Sequence, residues 1–135
     1  MKLREQYGSR IRLVFKNFPL GNHAQAFKAA EAGQCAQEQG RFWPFHDLLF
    51  DKQRDGLAVD QLKLHAASVG LDQAQFASCL ESGRFGDRVR ADMKSGEANG
   101  VQATPTFFIN GRQLTGAQPL ENFQRLIDDE LARKK

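Results

Sequence analysis

The sequence has few cysteines and no long hydrophobic run. Its two cysteines, Cys35 and Cys79, lie far apart in the chain. This spacing excludes a Cys-x-x-Cys redox motif and a two-cysteine zinc knuckle, and it leaves either two buried thiols or one disulfide. No apolar stretch approaches the roughly 18 residues that a transmembrane helix needs, so we predict no membrane span.

The chain also lacks a strong excess of charge of either sign. Nineteen Lys and Arg residues stand against sixteen Asp and Glu, which gives a formal net charge of +3. The cations are mixed with acids, whereas nucleic-acid-binding proteins gather them on one face, so we predict no nucleic-acid partner. The first five residues contain no hydrophobic segment of a secretory signal, so either the protein is cytosolic or a leader is missing from this sequence.

The chain does have the size and composition of one folded domain. Its 135 residues are 41% hydrophobic and 26% charged, and eleven Phe residues are spread along most of the length. A chain of this size hides roughly two-thirds of its unfolded surface, which is enough for an apolar core. Because no linker or repeat interrupts the sequence, we predict a single domain over residues 1–135.

The hydrophobic pattern predicts a small β-layer interrupted by helices. Residues 3–7 resemble the last turns of a helix, and the alternation over 11–16 predicts a strand. From about 23 to 99, apolar residues at helical spacing predict a block of five short helices. Asn110-Gly111 lies between two β-prone runs and predicts a hairpin over 105–115, after which Pro119 opens a final helix.

The residues suggest no catalytic or metal site of a common kind. His23, His46 and His65 fall in three different predicted elements, and none has metal-ligand spacing to another His or Cys. No nucleophile elbow, P-loop or dinucleotide-binding glycine motif is present. We therefore predict no metal, no cofactor and no catalytic residue in this chain.

Several segments together resemble the DsbA-like branch of thioredoxin-fold proteins. The most specific one is Gly100–Gly111, which looks like the cis-proline loop and the hairpin that follows it in that family. The resemblance covers nearly all of the chain in order. Its other matching segments are residues 12–20 with His23, 35–43, 46–50, 76–80 and the start of the last helix at 116–119.

This resemblance implies a fold and a set of site residues. The fold is an α/β thioredoxin-like fold with an all-helical insertion over about 23–99. Thr104 would accept a substrate peptide as an added strand, Pro105 would follow a cis bond and set the geometry, and Ala103 would flank them. Relatives can carry a second, non-catalytic disulfide, which implies that Cys35 and Cys79 pair in the insertion, although two separate buried thiols remain the alternative.

The sequence also departs from the family pattern. The family has a central strand and a Cys-x-x-Cys at a helix N-terminus before the strand that 11–16 matches, and neither is present here. The fold is therefore expected to be N-terminally truncated and redox-inactive, because exchange needs an activated thiolate and a resolving thiol. We predict either an oxidoreductase domain without its dithiol or a non-catalytic peptide-binding or assembly module on the same fold.

Partners and compartment follow from the same resemblance. The family implies extended or unfolded polypeptides as substrates, and a periplasmic or cell-envelope location. Without the central strand, the strands over 11–16 and 106–109 would each expose an edge, and exposed edges recruit other chains. We therefore also predict a homo-oligomer.

Overall fold

The computed structural model describes residues 2–21, 23 and 25–133. It contains seven α-helices and one β-hairpin within those residues. Two short 3-10 turns, Gly8–Arg10 and Gln53–Asp55, complete the regular structure of this part. The elements in chain order are α1 (Lys2–Tyr7), α2 (Ala26–Glu38), α3 (Phe42–Asp51), α4 (Val59–Ser68), α5 (Gln73–Ser82), α6 (Gly86–Ala98), β1 (Thr106–Ile109), β2 (Arg112–Thr115) and α7 (Leu120–Arg133).

The chain divides into two compact units. The helical unit is residues 17–96, and the terminal unit combines the residues up to Lys16 with those from Glu97 onward. The prediction of a single domain over 1–135 stays a prediction. The predicted helical insertion of about 23–99 corresponds closely to the helical unit, in which the described residues contain no β-strand.

The helical unit folds around one apolar core. Local capping residues set the ends of its helices, as α5 illustrates: the Asp72 carboxylate accepts a hydrogen bond from the Gln75 N–H at 2.9 Å, and Gly83 ends the helix with φ +67°. Small residues on α2 allow close packing, since a Cβ on Gly33 would lie only 3.3 Å from the Phe42 ring. The core of this unit consists of Ala32, Cys35, Ala36, Phe45, Leu62, Ala66, Leu71, Phe76, Cys79 and Leu80.

The terminal unit is built from the hairpin and helices α1 and α7. β1 and β2 pair antiparallel, with Thr106 opposite Thr115 and Ile109 opposite Arg112. Asn110 and Gly111 form the two-residue turn with positive φ at both positions, as the Asn-Gly signal predicts. Phe107 packs edge-on against Phe123 of α7, with 4.8 Å between the ring centroids.

The prediction of a strand over residues 11–16 is wrong. The segment leaves the Gly8–Arg10 turn in extended geometry, with φ −123° and ψ 155° at Ile11. However, it joins no ladder, and the only sheet in the described residues is the two-stranded hairpin. Alternating side chains can specify an extended backbone, but a strand also needs a neighbour with free N–H and C=O groups.

Candidate functional site

The loop before β1 contains the three residues predicted to bind substrate. Ala103, Thr104 and Pro105 form an exposed bend, and the Thr104–Pro105 peptide bond is cis. Two hydrogen bonds of 2.7 Å hold the bend: the Thr106 hydroxyl donates to the Ala103 carbonyl, and the Gly116 N–H donates to the Pro105 carbonyl. The bend is therefore fixed to the hairpin at both ends. The assignment of these residues to substrate binding stays a prediction.

The hydrogen bond from the Gly116 N–H to the Pro105 carbonyl shows which backbone groups of β1 point toward β2 and which point away from it. Hydrogen-bonded and non-hydrogen-bonded pairs alternate along an antiparallel ladder, so Phe107 and Ile109 exchange hydrogen bonds with β2. The N–H and C=O groups of Thr106 and Phe108 consequently point away from β2. Within the residues that the structure describes, no other strand meets this outer edge of β1.

The two edges of the hairpin differ in chemistry. On β2, the exposed side chains are the polar Gln113 and Thr115, which hydrogen-bond each other at 3.2 Å. On β1, the exposed fraction is 36% for Phe107 and 45% for Phe108. Polar side chains suit an edge that faces water, whereas adjacent aromatic side chains leave apolar surface uncovered.

The two cysteines form a disulfide within the helical unit. Cys35 on α2 and Cys79 on α5 are bonded, with 5.9 Å between their Cα atoms. Both residues are 1% exposed and belong to the apolar core. Because the sequence contains only these two cysteines, this chain presents no free thiol when the bond is formed.

The three histidines do not converge on one site. His23 lies in the turn before α2, where Ala24 and Asn22 are outside the described residues. His46 on α3 packs among aromatic rings, with 4.7 Å to the Phe50 ring, and its Nδ1 is 3.0 Å from an Asp47 carboxylate oxygen. His65 is buried on α4, and its Nε2 has no hydrogen-bond partner in the described structure. The described residues contain no cluster of three His, Cys, Asp or Glu side chains suited to a metal ion.

The sequence patterns indicate neither of two polar contacts between distant parts of the chain. The Asp92 carboxylate accepts hydrogen bonds from the Asn17 N–H at 3.0 Å and from its side-chain amide at 2.9 Å, and both residues are buried in the helical unit. In the terminal unit, the Tyr7 hydroxyl donates to Asp128 at 2.8 Å. Burial, followed by this hydrogen bond, raises the pKa of Tyr7. Both contacts join residues that are distant in the chain, so no local motif could predict them.

Comparison with known sequences identifies the class of this protein. The sequence model of the thioredoxin family matches residues 1–129, which is nearly the whole chain. The chain therefore belongs to the thioredoxin family, and the recognition of a DsbA-like thioredoxin-fold protein is confirmed. The thioredoxin-like α/β fold class is confirmed with it, in a form that is mostly helical and has a small two-stranded sheet.

The chain is also similar to one segment of much longer proteins. It is 39% identical over 115 residues to a Na(+)/H(+) antiporter NhaA of Herminiimonas arsenicoxydans, and 40% identical over 116 residues to that of Nitrosospira multiformis. Both matches cover 85% of this chain but 18% of the relative. A third, NhaA 1 of Mycolicibacterium vanbaalenii, is 36% identical over 130 residues, which is 94% of this chain and 21% of the relative. The chain thus spans about a fifth of the length of these curated relatives.

These relatives correct the prediction about partners. From the sequence we predicted extended or unfolded polypeptide substrates, no nucleic acid, no membrane span and a homo-oligomer. That prediction is wrong, because the relatives bear the name of sodium/proton antiporters, which are membrane proteins. In the part of this chain that the structure describes, no helix is both long and apolar enough to cross a bilayer.

Proposed function

We propose that this chain is a thioredoxin-like accessory domain of a sodium/proton antiporter-type protein. In that protein, it acts through direct contact with the rest of the transporter polypeptide. The similarity to about a fifth of each antiporter relative is the observation that carries this proposal. A domain that recurs as one segment of a much longer transporter has the rest of that polypeptide beside it. Its surfaces can therefore act on the transporter without a diffusing substrate.

We further propose that the chain performs no thiol–disulfide exchange of its own. Exchange needs a thiolate that can reach the sulfur of another molecule. Cys35 and Cys79 are bonded to each other and are 1% exposed, which supports a structural role. A periplasmic or cell-envelope location belongs to the same proposal, because disulfides persist in oxidising compartments.

A chimera tests the accessory role. In the Herminiimonas arsenicoxydans relative, the segment that matches this chain is either deleted or replaced by this chain. Sodium-dependent proton movement in everted membrane vesicles is then measured beside the intact protein, normalised to the amount of transporter. We expect the deletion to lower transport and this chain to restore most of it. A deletion without effect, or a chimera no better than the deletion, would overturn the accessory role.

A turbidity assay tests the absence of exchange activity. Reduction of insulin by dithiothreitol is followed with the wild-type chain and with the Cys35→Ala/Cys79→Ala variant as the matched control. We expect both to leave the rate at that of dithiothreitol alone. Faster precipitation with the wild type than with the variant would overturn the structural role of the disulfide.

A thiol-trapping experiment tests the compartment. Cells that express the chimera are quenched in acid, and their thiols are labelled with a maleimide polymer that slows migration on a gel. We expect the disulfide to protect Cys35 and Cys79 from labelling without an added oxidant. Labelling of both cysteines would contradict the oxidising compartment.

A further inference from the structure

The first sixteen residues account for the positive excess of the chain. Residues 1–16 contain five Lys and Arg and one Glu. The helical unit, by contrast, contains nine Lys and Arg against ten Asp and Glu, and the residues from 97 onward contain five of each kind. Neighbouring cations add their fields, so this part of the chain attracts anionic surfaces more strongly than the rest does.

The same part of the chain exposes apolar side chains. Residues 12–16 are all exposed, and the exposed fraction is 37% for Leu13, 61% for Val14 and 40% for Phe15. A cation stands at each end of this run. No other stretch of the described residues exposes three large apolar side chains in succession. Residues 12–16 therefore form a basic segment with an apolar centre.

Arg12 is available to an external anion. Its side chain is exposed, and the described structure contains no ion pair or hydrogen bond to it. Arg10 differs, because its guanidinium lies 5.1 Å from the centre of the Tyr7 ring and donates to the Gln6 carbonyl at 3.4 Å. A guanidinium group pairs well with a phosphate, since its donors match two phosphate oxygens at once.

Exposed cations beside exposed apolar side chains favour one kind of surface. A bilayer with anionic lipids offers phosphate groups to Arg and Lys, and the boundary between its headgroups and acyl chains accepts apolar side chains. A nucleic acid would pair with the cations through its phosphates, but it would leave the apolar centre of the segment in water. The combination therefore fits a lipid surface better than a nucleic acid.

We propose that residues 12–16 bind the surface of an anionic phospholipid bilayer. Arg12 and Lys16 contact lipid phosphates, and the three apolar side chains between them enter the boundary between headgroups and acyl chains. This inference rests on the proposed function, which makes the chain part of a membrane protein. The contact keeps the terminal unit at the bilayer and adds to the contact of the domain with the transporter polypeptide.

Vesicle sedimentation with the chain alone tests this contact. The chain is mixed with vesicles of phosphatidylcholine and phosphatidylglycerol in equal amounts, or of phosphatidylcholine only. We expect binding to the mixed vesicles at low salt, and binding at least about tenfold weaker to phosphatidylcholine. Binding should be lost at about 1 M sodium chloride, where the Debye length falls to about 3 Å. Equal affinity for both vesicles, no binding to either, or preference for a DNA duplex over the mixed vesicles would overturn the proposal.

Two pairs of variants locate the contact. Arg12→Gln should weaken binding to the mixed vesicles about fivefold, the usual effect of one basic residue near an anionic surface. Arg54→Gln is its matched control, because it removes an exposed cation from the helical unit. Val14→Ser should weaken binding about three- to tenfold through lost apolar burial. Leu64→Ser is its control, since Leu64 is also 61% exposed. Equal affinities within either pair would overturn the assignment to residues 12–16.

Hydrogen exchange identifies the bound segment directly. With the mixed vesicles present, we expect peptides that cover residues 12–16 to exchange at least about twofold more slowly, and peptides from α3 and α4 to be unchanged. Equal slowing over the whole chain would contradict a contact at this segment. Protection of residues 12–16 that rises with protein concentration in the absence of vesicles would indicate a second copy as the occupant and would overturn the lipid contact.

The outcomes distinguish this inference from the proposed function. If the chimera transports and the chain alone does not bind the mixed vesicles, the lipid contact is refuted and the accessory role stands. If the chain binds the vesicles as described and the chimera fails to restore transport, the accessory role fails and the lipid contact remains.

Discussion

The helical unit and the terminal unit differ in how many apolar residues they bury. Twelve of the fifteen buried apolar residues of the described structure lie in the helical unit. The terminal unit contributes only Tyr7, Phe123 and Ile127. The helical unit also contains the disulfide. Both units expose some large apolar side chains, which are Phe50, Val59 and Leu64 in the helical unit and those of β1 and residues 13–15 in the terminal unit.

The difference reflects how each kind of element satisfies its backbone. A helix makes its hydrogen bonds internally, so helices need only pack their apolar faces, and the helical unit does so within residues 17–96. A strand depends on neighbours for its hydrogen bonds, so a sheet with few strands remains open at its edges. We therefore expect stability to be concentrated in the helical unit and interactions to be concentrated in the terminal unit.

The largest expected effect comes from the helical core. Phe76 is 1% exposed and packs against Phe45, with 5.6 Å between the ring centroids. Phe76→Ala should lower the free energy of unfolding by about 3–5 kcal/mol, because it leaves a cavity. Urea unfolding followed by circular dichroism measures this. The matched control is Phe50→Ala at a residue that is 61% exposed. If both variants lost the same free energy of unfolding, the placement of Phe76 in the core would be contradicted.

Removal of the disulfide should have the next largest effect. Cys35→Ala/Cys79→Ala should lower the free energy of unfolding by about 2–4 kcal/mol, because the bond restricts a long loop of the unfolded chain. Urea unfolding of the variant measures this loss, and the wild type in dithiothreitol is the control. Hydrogen exchange should accelerate in α2 and α5 and change little in β1 and β2. If hydrogen exchange accelerated equally in both units, the disulfide would not stabilise the helical unit in particular.

A smaller effect is expected from the hydrogen bond that ties α1 to α7. Tyr7→Phe removes the donor to Asp128 and should cost about 0.5–1.5 kcal/mol, because it removes one hydrogen bond whose acceptor is exposed and can bind water instead. A double-mutant cycle with Asp128→Ala isolates the contact. We expect the two losses to be less than additive, with exchange accelerated in α1 and α7. Full additivity would mean that the contact contributes nothing to the terminal unit.

The smallest effect concerns pH. Hydrogen bonds from Asn110, and then from Arg112 and Arg133, lower the pKa of Glu130 in the folded chain. The stabilisation is therefore present above the unfolded-state pKa of about 4.3 and disappears as the pH falls through the folded-state pKa. Glu130→Gln should lower the melting temperature slightly at pH 7.

The comparison across pH provides the check on Glu130. Melting temperatures of the wild type and of Glu130→Gln, measured from pH 7 to pH 3, should converge as the pH falls below about 4.3. Asp129→Asn is the matched control, because it removes a neighbouring carboxylate that also faces Arg112, at 3.5 Å, but is more exposed than Glu130. A constant difference across the range would show that the substitution acts through packing.

Much of the local structure could be predicted from sequence because it depends on neighbours in the chain. The Asp72 cap and the Asn110-Gly111 turn are examples, since their signals act within a few residues. The candidate site was less predictable. Motif resemblance identified the loop at Thr104 and Pro105 and predicted an exposed edge over 106–109. Only the register of the hairpin shows that the backbone groups of Thr106 and Phe108 are the ones that point away from β2. The prediction of a strand over 11–16 failed for the same reason, because pairing is a property of the neighbour.

The sequence by itself determined the helices, the hairpin turn and membership of the thioredoxin family, because periodicity, caps and motifs are local properties of the chain. The tertiary structure decided which distant residues meet and which backbone groups stay unpaired. It brought Cys35 to Cys79 and Asn17 to Asp92, contacts that depend on how the helices pack. It also left the outer edge of β1 open, since whether a backbone group is paired depends on the segments that fold beside it.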